Sequence, residues 1–350
     1  MQDYVIQRFD IADASQEDWG KFHRYRRKRS SEVFPGDPVE EDVVYEEWAR
    51  TSLEETDIKC YAAVLKADPS EMVAWLRMSV FRESSPSYPG NKHLVRVNLA
   101  VLKEHRRKGI GLSLLKRVYE FAKEHKKSVI IGSTTDEEGR DLNHKIGGTE
   151  ALEMRVYRLS LDEVDWKMVE RWNREGAERS PDASLEFYES IPDEILEDYC
   201  EKYTEVYNQM PLDELDVGDL VYTPELVREY EETCVKSGET WLKAILQEKN
   251  GDISGMTDVV YHPSKAPLLT QILTGVDEKY RGHGKGKWVK AAMLLKVREK
   301  FPDIGAISTS NATSNTPMIS INERLGFKLH LEAYNLQIDT EKLGAFLEGK

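Results

Sequence analysis

Short apolar runs recur along the chain, and polar turns or segments of helical periodicity separate them. Residues 114–122 and 288–295 carry apolar side chains at helical spacing, which predicts two helices that each bury one face. Further helices are predicted near Trp19 and Trp166. Strands are predicted at 59–65, 93–101, 128–131, 240–246, 268–276 and 304–307. Strands that alternate with helices indicate an α/β or α+β fold.

The chain repeats its own landmarks. The segment 101–111 returns at 276–286 with its valine, its arginine and both glycines in place. The segment 143–147 returns in the same way at 322–326, and Phe-Pro at 34–35 returns as Met-Pro at 210–211. Three landmarks in the same order predict a duplicated domain. We place the copies at residues 1–158 and 159–350, each opening on an extended segment, 4–8 or 155–159.

Composition narrows the class of protein. The 350 residues are 40% hydrophobic, enough for two cores, and their net charge of −14 argues against a nucleic-acid or anionic-membrane partner. No apolar run is long enough for a membrane helix, and the N-terminal segment does not resemble a signal peptide. The three widely spaced cysteines favour a reducing cytoplasm and offer no metal-binding pattern, so we expect no metal.

The repeated segment reads as a strand, then Arg-x-x-Gly-x-Gly, then a helix. Its glycines let the backbone approach a bound group, and the start of the helix offers unpaired N–H donors. Neither copy has the spacing of a dinucleotide-binding Gly-x-Gly-x-x-Gly motif, and neither satisfies a Walker loop. We therefore expect a diphosphate of another cofactor. The flanking positive charges are those of Arg106, Arg107, Lys108, Arg281, His283 and Lys285.

These residues resemble the GNAT family of N-acetyltransferases, whose pyrophosphate loop reads [Arg/Gln]-x-x-Gly-x-[Gly/Ala]. The later segment from Asn311 to Leu-Gly-Phe at 325–327 is similar to a second family motif, which 141–148 carries in weaker form. The resemblance implies tandem GNAT-like domains, each a mixed, mostly antiparallel sheet flanked by helices, that bind acetyl-CoA between the fourth and fifth strands. It implies cofactor contacts at Leu99, Val101, Arg106, Arg107, Lys108, Gly109, Ile110, Gly111, Thr274, Val276, Arg281, Gly282, His283, Gly284, Lys285, Gly286, Asn311 and Asn315.

The sequence departs from the family where many members place a tyrosine near the thiolate. Asn143 and Asn322 stand there, and an asparagine does not donate a proton as an acid. Asn322 either hydrogen-bonds the sulfur or caps a turn. Asp258, in an apolar strand, is the best candidate base, unless it simply points to solvent. Gln271 on the next strand is expected to orient an acceptor or a water.

The second half keeps both later motifs, so we expect it to catalyse while the first half binds coenzyme A with weak or no turnover. The resemblance implies an acetyl-CoA-dependent N-acetyltransferase acting on a primary amine of a small acceptor by direct attack in a ternary complex. A non-catalytic acyl-CoA sensor and a protein N-acetyltransferase are the alternatives. The oligomeric state does not follow from the sequence.

Acidic residues are concentrated in one segment. Residues 182–232 hold 17 acids and 2 bases, whereas 103–127 holds nine bases and three acids. The distance from Trp19 to Pro35 is 16 positions, against 45 from Trp166 to Pro211, which reads as an expansion of the second copy. By resemblance, this segment walls the acceptor site, where it would attract a cationic amine. A solvated acidic helix face is the alternative.

Overall fold

The computed structural model describes residues 3–349, so Met1, Gln2 and Lys350 lie outside it. Contacts divide the chain into two compact units. Unit 1 consists of Met1–Glu153, Leu212–Asp219 and Ala333–Lys350, and unit 2 consists of Met154–Pro211 and Leu220–Glu332. Each unit is built from segments that are not continuous in sequence. The division of the sequence at residue 158 stays a prediction.

The chain runs through one series of elements twice. The first series is β1 (Tyr4–Phe9), α1 (Gln16–Val33), α2 (Asp42–Glu55), β2 (Thr56–Leu65), β3 (Met72–Phe81), α3 (Tyr88–Asn91), β4 (Leu94–Val101), α4 (Ile110–Glu124), β5 (Val129–Thr134), α5 (Glu137–Lys145), β6 (Thr149–Ser160) and α6 (Trp166–Arg179). The second is β7 (Ser184–Tyr188), α7 (Asp193–Asn208), α8 (Pro224–Ser237), β8 (Thr240–Gln247), β9 (Ile253–Tyr261), β10 (Leu268–Val276), α9 (Lys285–Lys300), β11 (Ala306–Ala312), α10 (Thr316–Leu325), β12 (Lys328–Asp339) and α11 (Thr340–Glu348). Among the helices of residues 3–349, the short α3 alone has no counterpart in the second series.

In unit 1 the strands lie in the order β1-β2-β3-β4-β5-β12. Neighbours are antiparallel except β4 and β5, which are parallel. The last strand comes from the far end of the chain, since residues 334–339 of β12 pair with Val129–Thr134. The predicted mixed, mostly antiparallel sheet is confirmed for this unit.

Unit 2 repeats the arrangement with the strand order β7-β8-β9-β10-β11-β6. Here β10 and β11 are the parallel pair, and all other neighbours are antiparallel. Its closing strand comes from the first series, because residues 154–160 of β6 pair with Ala306–Ala312. Each unit therefore takes its sixth strand from the other series of elements.

This topology corrects one prediction. The extended segment 155–159 is not the counterpart of 4–8, because β1 pairs with β2 whereas β6 closes the sheet beside β11. The counterpart of β1 is β7, and α6 follows its closing strand as α11 follows β12. The apparent expansion between Trp166 and Pro211 is therefore not an insertion: it contains α6 and β7. An extended apolar pattern is common to edge and closing strands and carries no information about the partner.

The helices that follow the glycine loops differ in how they are buried. As predicted, α4 buries Leu114, Leu115, Val118, Phe121 and Ala122 on one face. The same expectation is wrong for α9, because that helix packs against α6 as well as the sheet. It buries nine residues, namely Lys285, Trp288, Val289, Lys290, Ala291, Ala292, Met293, Leu294 and Val297. Two lysines thus lie inside the core of unit 2.

None of the helices within residues 3–349 combines the length and the apolar composition needed to cross a lipid bilayer.

Candidate active site

In each unit the parallel strands part soon after they meet. In unit 2, residues 268–270 of β10 pair with residues 306–308 of β11. Beyond Thr270, β10 is paired with β9 alone. In unit 1, β4 and β5 pair in the same way over 94–96 and 129–131. The carboxyl-terminal halves of these strands therefore border an opening in each sheet, and the glycine loop begins at its edge.

The two loops have the same backbone. Gly284 and Gly109 are the N-cap residues of α9 and α4, with φ of 81° and 80°. Two residues earlier the left-handed conformation recurs, at Gly282 with φ 83° and at Arg107 with φ 61°. Both arginines of the motif donate Nε–H to the last carbonyl of the preceding strand, at 3.1 Å in each copy. The first turn of the following helix thus presents its unpaired N–H groups at the opening.

The two units differ in the groups that these arginines contact. The Arg106 guanidinium lies 2.7 Å from Asp136 and 3.2 Å from Glu138, and Arg29 also contacts Asp136 at 3.2 Å. Burial opposes ionisation of Asp136, but Arg29 and Arg106 together hold the pKa of its carboxyl below the usual value. Arg281 in unit 2 instead donates to the neutral side chain of Gln209. An anion at the loop of unit 1 would meet these two carboxylates.

Of the two fourth strands, β4 and β10, only β10 carries a bulge in its pairing with the third strand. Gln271 lies opposite Val259 and Thr274 lies opposite Thr257, so Ile272 and Leu273 together face the single residue Asp258. Unit 1 has unbroken pairing at this place, from Ala74 with Val101 to Ser79 with Arg96. The bulge lies where β10 has separated from β11 and borders the opening.

Asp258 is buried and does not point to solvent. Its Oδ1 accepts the backbone N–H of Leu273 at 2.7 Å, and its Oδ2 accepts from Trp241 Nε1 at 2.6 Å and Tyr203 Oη at 3.1 Å. Burial is the largest influence and raises the pKa of this carboxyl, although the three donors and nearby Lys243 favour the charged form. A carboxylate with a raised pKa at the bulge has the chemical character of a base.

Gln271 belongs to a different set of contacts. It faces the same side of the sheet as its partner Val259, and therefore the side opposite Asp258. Its Nε2 donates to Thr257 Oγ1 at 3.0 Å, and its Oε1 accepts from Lys290 Nζ at 2.5 Å. Burial lowers the pKa of the Lys290 ammonium to about 7. Gln271 is thus enclosed by protein groups.

The two motif asparagines have different partners. Asn143 donates Nδ2–H to the carbonyl of Thr149 at 2.9 Å and so holds the turn after α5. Asn322, which is fully buried, donates instead to Asn311 Oδ1 on β11 at 2.8 Å, and its own Oδ1 has no hydrogen-bond partner among the described residues. Capping of the turn therefore describes the side chain of Asn143 and not that of Asn322.

The predicted residues do not form one cluster. Gly282, Gly284 and Gly286 lie together at the loop, but Ile110 is a core residue of unit 1, and Lys285 is buried against Glu248 at 2.6 Å. Asn315 is the N-cap of α10. The sequence argument missed Lys290 and Thr257. A signal for Lys290 was present, because it stands 175 positions after Leu115 on the repeated helix.

Comparisons with known proteins agree with this fold. Residues 19–141 match the model of the Acetyltransferase (GNAT) family. The chain is similar to a tandem GNAT protein from the clavulanic acid biosynthesis pathway, with a TM-score of 0.72 and 20% identity over 96% of this chain and 98% of that one. A GCN5-related N-acetyltransferase from Sphaerobacter thermophilus has a TM-score of 0.63 and 14% identity over 97% and 96% of the two chains. At these identities, the solved structures show the fold alone. No curated protein matches the sequence.

Residues 19–141 therefore match a GNAT acetyltransferase domain, and the whole chain has the fold of tandem GNAT proteins. The expected fold is confirmed, and residues 19–141 match the expected family, which supports acyl transfer and binding of an acyl-CoA in general. The matched residues lie in the first series of elements, so the match does not indicate which unit is active.

Replacing Lys290 by methionine should stabilise the protein by about 1–4 kcal/mol at pH 7, because it removes a desolvated amine from the core. The unfolded chain keeps this proton up to an ordinary pKa of 10.5, whereas the folded protein releases it near 7. Wild-type stability should therefore rise with pH through this window, and the advantage of the variant should shrink.

Urea unfolding at pH 7 and at about pH 9.5 measures both effects. Leu115→Met is the matched control at the equivalent position of α4, where we expect a small change that does not depend on pH. A Lys290→Met protein that is less stable than wild type at both pH values would contradict the interpretation.

Proposed function

We propose that unit 2 binds acetyl-CoA at the opening between β10 and β11 and transfers its acetyl group to a primary amine of a small acceptor. The choice of unit 2 rests on a comparison of the two glycine loops. The same loop occurs twice, but Arg106 is neutralised by Asp136 and Glu138 while Arg281 contacts only neutral groups among the described residues.

The residues of unit 2 fit a CoA diphosphate. The left-handed Gly284 begins a helix of 16 residues, and a Cβ on Gly284 would lie 3.1 Å from Arg179 Nη1. The N–H groups of Lys285 and Gly286 are among those left unpaired at the first turn of such a helix. Thr274 and Val276 of β10 would line the acyl arm. Acetyl-CoA, when bound, supplies a thioester that an amine can attack.

Asp258 is the proposed base for the acceptor. The amine nitrogen attacks the thioester carbon, the carbon–sulfur bond breaks, and the amine loses a proton while the thiolate gains one. Asp258 holds its partners Trp241 and Tyr203 on the side of the sheet that α7 covers, and its raised pKa favours uptake of the proton. Asn322 is proposed to stay near the sulfur as a hydrogen-bonding group and not as an acid.

The acceptor is proposed to be cationic. Helix α7 exposes a continuous acidic face. Two acidic residues outside α7 are instead engaged in ion pairs. Glu231 pairs with the buried Lys243 at 2.8 Å, and Asp277 pairs with Lys202. The exposed carboxylates of α7 are those of Asp193, Glu194, Glu197, Asp198, Glu201 and Glu205. Such a face would raise the local concentration of a cationic amine, although it would also serve as a solvated surface.

A non-catalytic acyl-CoA-binding protein is the second candidate. The observation that favours it is the asparagine at the expected acid position of both copies, with the side chain of Asn322 bonded to Asn311. Thiol release from acetyl-CoA separates the two candidates.

A panel of polyamines, aminoglycosides and uncharged or acidic amines should reveal thiol release with the cationic members. The rate at subsaturating amine should fall by about tenfold between low and high salt, because screening removes the attraction of exposed carboxylates. Tight binding of CoA with no release across the panel would favour the non-catalytic protein. Preference for an acidic acceptor would refute the cationic assignment.

Gly284→Val should abolish acetyl transfer, whereas Gly109→Val should leave it largely intact. Both residues have φ near 80°, so both variants carry the same backbone strain and should lose similar stability, about 1–2 kcal/mol. Steady-state rates and thermal unfolding of the two variants measure this. Loss of activity in Gly109→Val with retention in Gly284→Val would reverse the assignment of the active unit.

A further inference from the structure

A chain of buried polar side chains crosses the core of unit 2 beneath the bulge. Lys290, 2% exposed on α9, donates to Gln271 on β10, and Gln271 donates to Thr257 on β9 at 3.0 Å. Thr257 Oγ1 donates to the carbonyl of Leu273 at 2.8 Å and lies 2.7 Å from Thr274 Oγ1. Four buried or half-buried side chains are thus joined from the helix to the bulged strand.

Burying these four polar side chains costs free energy of folding, and the first copy has apolar residues at the equivalent positions. The residue 175 positions before Lys290 is Leu115, which lies in the apolar core of unit 1. The counterparts of Thr257 and Thr274, by their register from the end of the fourth strand, are the paired Leu76 and Leu99. In unit 1, the equivalent contact between helix and sheet is therefore made by apolar side chains. Unit 1 also has unbroken pairing where unit 2 has the bulge.

This series of hydrogen bonds ends at Leu273, one of the two residues of the bulge. Thr257 holds the carbonyl of Leu273, and Asp258 holds its N–H at 2.7 Å. These neighbouring residues of β9 point to opposite faces of the sheet, so the main chain of Leu273 is fixed from both sides. The next residue is Thr274, with which the proposed contacts to the acyl arm begin.

We propose that Lys290 is a positioning residue for acyl transfer: acting through Gln271 and Thr257, it fixes the bulge of β10 and so aims the main chain at Leu273 and Thr274 toward the reacting acyl group. This inference rests on the proposed function of unit 2. Lys290 is buried and bonded to Gln271, so in this proposal it acts through Gln271 and not by contact with substrate or cofactor. Its contribution is the geometry of the strand, and a displacement of about 1 Å at a reacting centre can cost about 100-fold in rate.

The test compares Lys290→Met, Gln271→Leu and Thr257→Val with wild type, and Leu115→Met serves as the control in unit 1. With an amine identified from the panel, kcat should fall by about 10–100-fold while KM for acetyl-CoA changes by less than about threefold. Lys290→Gln, which keeps an N–H donor, should recover part of the rate. The control should behave as wild type. A Lys290→Met protein with wild-type kcat would overturn the proposal.

Hydrogen exchange of the peptide 268–276 gives a second readout that needs no turnover. Amides around Leu273 should exchange faster by about tenfold or more in Lys290→Met and Thr257→Val, because the bulge is held less firmly. If no amine supports thiol release by the wild-type protein, the proposed function fails, yet exchange still decides this inference. Unchanged exchange in both variants would overturn it. Thr257→Val, an isosteric change on another strand, tests the same bulge independently of the change in core stability that Lys290→Met brings.

Discussion

The early separation of two parallel strands is the constraint on which the site in each unit depends. A parallel pair normally continues its hydrogen bonds along both strands, but here it stops after three residues. Closing strands from the opposite series cover the outer sides of β5 and β11, so the opening lies inside a sheet and not at its edge. The glycine loop and the start of a helix then fall at that opening. Main-chain donors are available there without any special side chain.

The duplicated chain provides its own comparison of two solutions to the same fold. Unit 1 fills its core with Leu76, Leu99 and Leu115 and engages the arginine of its loop in ion pairs. Unit 2 places Thr257, Thr274 and Lys290 at the corresponding positions and keeps a bulge. Buried polar groups lower stability unless they are fully bonded. Their presence in one copy alone supports the proposal, made first from the partners of Arg106 and Arg281, that unit 2 carries out the chemistry.

Local features of the fold could be predicted from the sequence, whereas long-range pairings could not. The strand before each loop, the loop and the helix after it follow from glycine spacing and apolar periodicity, and β10 has the predicted bounds, Leu268–Val276. The exchange of β6 and β12 was missed, because an extended segment does not specify its partner. The burial of Asp258 depends on Tyr203 and Trp241. Lys290 could have been found, since a lysine replaces Leu115 on a repeated apolar face.

The most direct measurement is calorimetric titration of CoA into wild-type protein, Arg281→Ala and Arg106→Ala. Each substitution removes the same Nε–H bond to the end of a strand. Arg106→Ala also breaks the ion pairs with Asp136 and Glu138, whereas Arg281→Ala breaks a bond to the neutral Gln209. Wild type should bind one CoA per chain, Arg106→Ala should keep that site, and Arg281→Ala should weaken it by at least about tenfold. Retained binding in Arg281→Ala together with loss in Arg106→Ala would contradict the assignment of the cofactor to unit 2.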